Sequence, residues 1–90
     1  MENLNRSNMK TIWKYKIDGS IQMPMDAQIL TVQNQNGEEH LWALVNPNNE
    51  LETRKFLIVG TGQSFDDTDT KYIGTFQQPP FVWHLFELVH

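Results

Sequence analysis

"AQILTVQNQNGEEHLWALV", residues 27–45, decides the fold. Two runs rich in β-branched and aromatic residues flank Asn36-Gly37, the pair that a type I′ hairpin turn favours because both central residues need positive φ. A two-residue turn fixes the register. It sets Gln35 opposite Glu38, Gln33 opposite His40, Thr31 opposite Trp42 and Ile29 opposite Leu44. On the other face Val32 meets Leu41, Leu30 meets Ala43 and Gln28 meets Val45. Leu30, Val32, Leu41, Ala43 and Val45 read as ordinary core. Thr31, Gln33, His40 and Trp42 form a mixed aromatic and polar face, better suited to an interface or a ligand.

The hairpin sets the pattern for its flanks. Before it, "TIWKYKI" alternates, with Trp13, Tyr15 and Ile17 on one side and Lys14 and Lys16 on the other, as a half-buried strand does. "SIQMPMDA" is extended but holds Pro24, which suits an edge or an irregular connection. Asp26 is able to cap a short helix, but the β-branched content of "AQILTVQ" favours a strand. After the hairpin, "NPNNE" is a turn cluster. "LETRKFLIVG" is the next strand, with Arg54, Phe56 and Ile58 on one side. "TGQSFDDTDT" is a polar loop, "KYIGTF" a short strand, and "QQPP" a break. "FVWHLFELV" has helical spacing at Phe81, Leu85 and Leu88, yet its length and aromatic content suit a strand, which is the reading adopted. The expected fold is mostly β: one small antiparallel domain of five to six hairpin-connected strands over residues 10–90, preceded by a flexible tail at 1–9.

Ninety residues sit near the lower limit for a self-sufficient core, so burial against other copies of the chain is expected, as a dimer or tetramer. The formal charge is -4, with seven Lys and Arg against eleven Asp and Glu, which argues against long nucleic acid as a partner. The chain contains no Cys, which excludes disulfides and thiolate chemistry. "MENLNRSNMK" lacks the apolar stretch of a signal peptide, and no run approaches membrane-spanning length. A cytoplasmic protein without a membrane partner is the expectation.

The residues suggest binding rather than catalysis. His40, His84 and His90 are isolated, without metal-ligand spacing, and Asp66, Asp67 and Asp69 lack the glycine and terminal Glu of a calcium loop. No metal, cofactor or catalytic set is expected. "VGTGQ" lacks the spacing and Lys of a phosphate-binding loop. Gly60, Thr61 and Gly62 either turn successive amides inward as an anion cradle or end a strand. Arg54, in phase with Gly60, invites a phosphate or carboxylate, unless Glu50 or Glu52 engages it. Trp13, Trp42 and Trp83 exceed what one small core needs, so at least one is expected to face a partner.

"WKYKI", "MPMDAQILTVQNQNG", "LWALVNP", "RKFLIVGTG" and "YIGTF…FVWHLFE" follow in order the pattern of a family of small bacteriophage proteins catalogued as a domain of unknown function. The likeness spans roughly residues 13–87. In that family the GTG is commonly followed by His, where this chain has Gln63. The family is similar to phage anti-CBASS sponges, oligomers that sequester the cyclic oligonucleotide signals of bacterial antiviral defence. The resemblance implies capture of a cyclic dinucleotide without cleavage. The site it implies has base stacking on Trp13 or Trp42, phosphate pairing by Arg54, and contacts from Gly60, Thr61, Gly62 and Gln63. Gln33, His40 and His84 would read base edges. A protein-binding module using the Trp42 face is the alternative, and a phosphodiesterase comes third.

Overall fold

The computed structural model describes residues 9–89. Of the tail expected at 1–9, residues 1–8 lie outside the described residues, as does His90. Seven strands form: β1 (Thr11–Lys16), β2 (Ser20–Pro24), β3 (Gln28–Gln35), β4 (Glu38–Val45), β5 (Leu51–Gly60), β6 (Thr70–Gln78) and β7 (Phe81–Leu88). The expected five to six become seven because "SIQMP" is a strand of its own, and the single sheet becomes two. Sheet A has the order β1-β4-β3 and sheet B the order β2-β5-β7-β6, antiparallel throughout. Pro24 stands at the end of β2, an edge strand, where its missing N–H costs no ladder bond. Asp26 lies in the turn that follows, at φ 68°, rather than at a helix start.

The Asn36-Gly37 turn has φ values of 57° and 86°, the two positive values of type I′. It sets the expected register from Gln35↔Glu38 to Thr31↔Trp42. Beyond Thr31 the expectation fails. A bulge at Leu30 places Ile29 opposite Ala43 and Gln28 opposite Leu44. Leu30 is therefore exposed, and Ile29 takes its place against the core. One extra residue in the strand exchanges which of two adjacent apolar side chains faces inward.

The inner face of sheet A contributes Val32, Leu41, Ala43 and Val45. Sheet B contributes Ile21, Met23, Phe56, Phe76 and Leu85. Met23, Leu41 and Leu85 are fully buried, each stabilising the fold by roughly 2–3 kcal/mol relative to exposure. The edges β3 and β6 lie side by side without a shared ladder. Gly74 permits that approach, since a Cβ there would stand 2.9 Å from Val32 Cγ1. The molecule is flat: its extents are 55 × 30 × 15 Å and its radius of gyration is 15.0 Å, against about 12 Å for a compact chain of this length.

Candidate functional site

The structure divides the anticipated residues among three places. Trp42, His40 and Gln33 stay together on the outer face of sheet A. The ladder of β4 with β1 and β3 arranges this face as two rows. One row holds Lys14, Trp42 and Thr31, and the next holds Lys16, His40 and Gln33. Each row thus sets a cation on one flank, a ring in the middle and a polar side chain on the other. Trp42 is half-buried, with its ring centroid 6.3 Å from that of His40. His40 Nδ1 donates to the Glu38 carbonyl at 3.1 Å. Lys14 Nζ donates to Gln35 Oε1 at 2.7 Å, and Lys16 lies 3.5 Å from Glu38 in an exposed pair. A cleft of about 380 Å³ opens here, lined by Trp42, Ile12, Leu30, Thr31 and the amides of residues 33–35.

Arg54 is elsewhere, and it is occupied. It points to the inner face of sheet B, where Nε and Nη2 donate to the two carboxylate oxygens of Glu87 at 2.6 and 2.8 Å. Nη1 donates to the Ala27 carbonyl at 2.7 Å. The side chains of Arg54 and Glu87 are only 17% and 10% exposed. Hydrogen bonding to Glu87 is the largest influence on the guanidinium and raises its pKa further, outweighing its desolvation. The partner is Glu87 rather than Glu50 or Glu52. β7 runs beside β5, and no local spacing reveals that pairing. Arg54 is therefore a clamp between β5, β7 and the β2–β3 connection, not an open phosphate site.

The glycine segment resolves as a turn. Gln63 N–H donates to the Gly60 carbonyl at 3.0 Å, and Gly62 takes φ 88°, the geometry of a type II turn with Gly at its third position. Gly60 N–H is taken by Gln63 Oε1 at 2.9 Å and Thr61 N–H by the Val82 carbonyl at 3.2 Å. Two of the three amides are thus committed, and the anion cradle does not form. Gly60 has a different use. A Cβ there would stand 3.1 Å from the Trp83 indole, so the missing side chain seats that ring.

His84 joins a polar chain on the outer face of sheet B. Its Nε2 lies 2.8 Å from Thr61 Oγ1 and its Nδ1 lies 3.0 Å from Thr75 Oγ1. The Thr75 hydroxyl in turn lies 2.5 Å from that of Tyr72. Trp13 sits opposite Ala43 on the core-facing row of β1 and is 40% exposed at the rim, away from Trp42. Hydrogen bonding from the Thr68 side chain, and then from its N–H at 2.9 Å, holds the carboxyl of Asp66, in the exposed loop after β5, below the usual range. Among the described residues, no group of three or more His, Asp and Glu is placed to hold a metal ion, and no helix is long and apolar enough to cross a membrane.

The cations Lys14 and Lys16, with Asn34 and Gln35 at the cleft, are what the residue-type reading missed. The alternation of "TIWKYKI" separates the lysines from the aromatics. It does not say that β4 is the strand beside them.

No curated protein matches the chain, and no solved structure does. Residues 9–90 match a family described as a domain of unknown function, DUF7352, and that description assigns neither a phage origin nor a signalling role. With nearly its whole length matched, from two residues before β1 to the last residue, the chain belongs to the DUF7352 family.

Proposed function

We propose that this protein captures a cyclic dinucleotide, of the kind used as a signal in bacterial CBASS defence, and holds it without cleaving it. The observation that carries the reading is the two-row face of sheet A. Trp42 offers a ring for a base to stack on, where stacking contributes roughly 1–3 kcal/mol per base. Lys14 and Lys16 flank the rings by two residues of strand, a spacing of about 7 Å that suits two phosphates of one small cyclic ligand. Gln33 and Gln35 supply side-chain amides for base edges. The phosphate partners in this reading are the two lysines rather than Arg54. The likeness to phage anti-CBASS sponges points to the same ligand class. In this reading the protein works in the cytoplasm of an infected cell, as a dimer or tetramer whose faces close over the ligand.

The chain brings no metal cluster to this face among its described residues, and the Thr61–His84 pair lies on the other sheet. Capture is the chemistry the face suits. The test is to incubate the protein with a panel of cyclic dinucleotides, denature it by heat and analyse what is released, with gel filtration before and after loading. Intact ligand recovered from the wild type, and lost at least tenfold in Trp42→Leu, supports the reading. Cleaved product, or no retention of any cyclic dinucleotide, overturns it.

A further inference from the structure

β1 is an open edge of sheet A, paired with β4 on one side only. Ile17 N–H donates to the carbonyl of Glu39, the residue directly opposite it in the continued ladder, at 3.1 Å. An antiparallel ladder alternates, so the backbone groups of Thr11, Trp13 and Tyr15 face β4. Those of Ile12, Lys14 and Lys16 then face outward. Of the other edges, β3 and β6 lie against each other, and β2 is a five-residue strand that ends in Pro24. Among the described residues, β1 is left with a half-ladder of unpaired donors and acceptors, beside an Ile12 side chain that is 54% exposed.

Charge selects the occupant. Lys10, Lys14 and Lys16 lie in or beside this strand, whereas residues 17–90 carry only Arg54, Lys55 and Lys71 against ten carboxylates. Lysines on an edge deter pairing with a like strand and leave an acidic one welcome. A second copy does not supply that strand. Two β1 strands paired antiparallel bring lysines together, and β2, β3 and β6 contain no Asp or Glu.

We propose that the β1 edge takes an extended segment of another protein as an added strand. Acidic side chains at alternate positions of that segment lie beside Lys14 and Lys16, with an apolar one beside Ile12. Main-chain bonds hold such a strand and the side-chain alternation selects it. This inference uses the strand edge and does not depend on nucleotide capture by the Trp42 face.

The probe is the six-residue peptide Glu-Val-Glu-Val-Val-Val, acetylated and amidated, which run antiparallel sets its two Glu beside Lys16 and Lys14 and its fifth residue beside Ile12; the control has Lys in place of both Glu, and each is titrated into the full chain by NMR. The Glu peptide is expected to shift the amides of Ile12, Lys14 and Lys16, and to bind about tenfold more weakly when salt rises from roughly 50 to 500 mM. Ile12→Pro removes an outward N–H and the Ile12 side chain but no bond to β4, so the folded variant is expected to lose peptide binding at least tenfold. Should Ile12→Pro not fold, Lys14→Glu combined with Lys16→Glu is expected to reverse the preference toward the Lys peptide. The proposal is overturned by equal binding of the two peptides, by unchanged binding in folded Ile12→Pro, or by an unreversed preference in the double variant. Self-association of the free chain that Ile12→Pro abolishes overturns it as well, because the occupant is then a second copy.

Discussion

Arg54→Met removes three hydrogen bonds at once, two to Glu87 and one to the Ala27 carbonyl, and leaves the Glu87 carboxylate buried without its cation. Breaking a fully buried ion pair from one side costs about 3–5 kcal/mol. Both side chains keep some solvent contact, so the lower end, about 3 kcal/mol, is expected here. At about 4–8 °C per kcal/mol for a domain of this size, the melting temperature falls by roughly 12–24 °C. Arg54→Met combined with Glu87→Leu leaves only the Ala27 carbonyl without its donor and is expected to recover more than half of the loss. Urea and thermal unfolding followed by circular dichroism, on wild type, both single variants and the double variant, close the cycle. The folded-state pKa of Arg54 is raised, so its contribution is complete below the unfolded arginine value and declines only as pH rises through the higher folded one. The cycle is therefore expected to give the same coupling at every pH from neutral into the mildly alkaline range. A loss below about 1 kcal/mol in Arg54→Met would falsify the clamp and return Arg54 to the list of groups free to meet a ligand.

Two further substitutions test the packing. Gly74→Ala places a methyl against Val32 and is expected to cost about 1–3 kcal/mol in urea unfolding; a neutral result means that the two sheet edges are not held in contact there. The Tyr15 hydroxyl is buried without a partner among the described residues, and its burial raises its pKa above the usual phenol value. Stability from that group is complete below the unfolded value of about 10 and is lost as pH rises through the folded one, so Tyr15→Phe is expected to be neutral or slightly stabilising at pH 7 and to flatten the alkaline decline. A loss above about 1 kcal/mol at pH 7 means that the hydroxyl has a partner after all.

What was legible in the sequence was whatever is encoded within a few residues. Asn36-Gly37 specified its own turn and the register of the five residues leading into it, and the Lys/aromatic alternation of "TIWKYKI" gave the two faces of β1 correctly. The register failed at Leu30 because the choice between Ile29 and Leu30 for the core depends on how the strand meets sheet B, not on either residue's hydrophobicity. The candidate site divided along the same line. Gln33, His40 and Trp42 converge because one hairpin carries all three. Arg54 was misassigned because Glu87, 33 residues away, reaches it only through the β5–β7 pairing. The glycines of "VGTGQ" were read for their amides, yet Gln63 folds back to occupy one and Val82 accepts the next. Lys14 and Lys16 entered the site only once β1 was seen beside β4.

Strand β2 carries a consequence for how the chain is made. It precedes the hairpin of sheet A in sequence but belongs to sheet B, where it pairs with residues 51–55. A ribosome therefore delivers Ile21 and Met23 well before the strand that will shelter them exists. No cut in the polypeptide separates the two sheets into self-contained halves, because β2 of one lies between β1 and β3 of the other. All three strands of sheet A are made before β5, and until β5 emerges the nascent chain has two greasy side chains with nowhere to go.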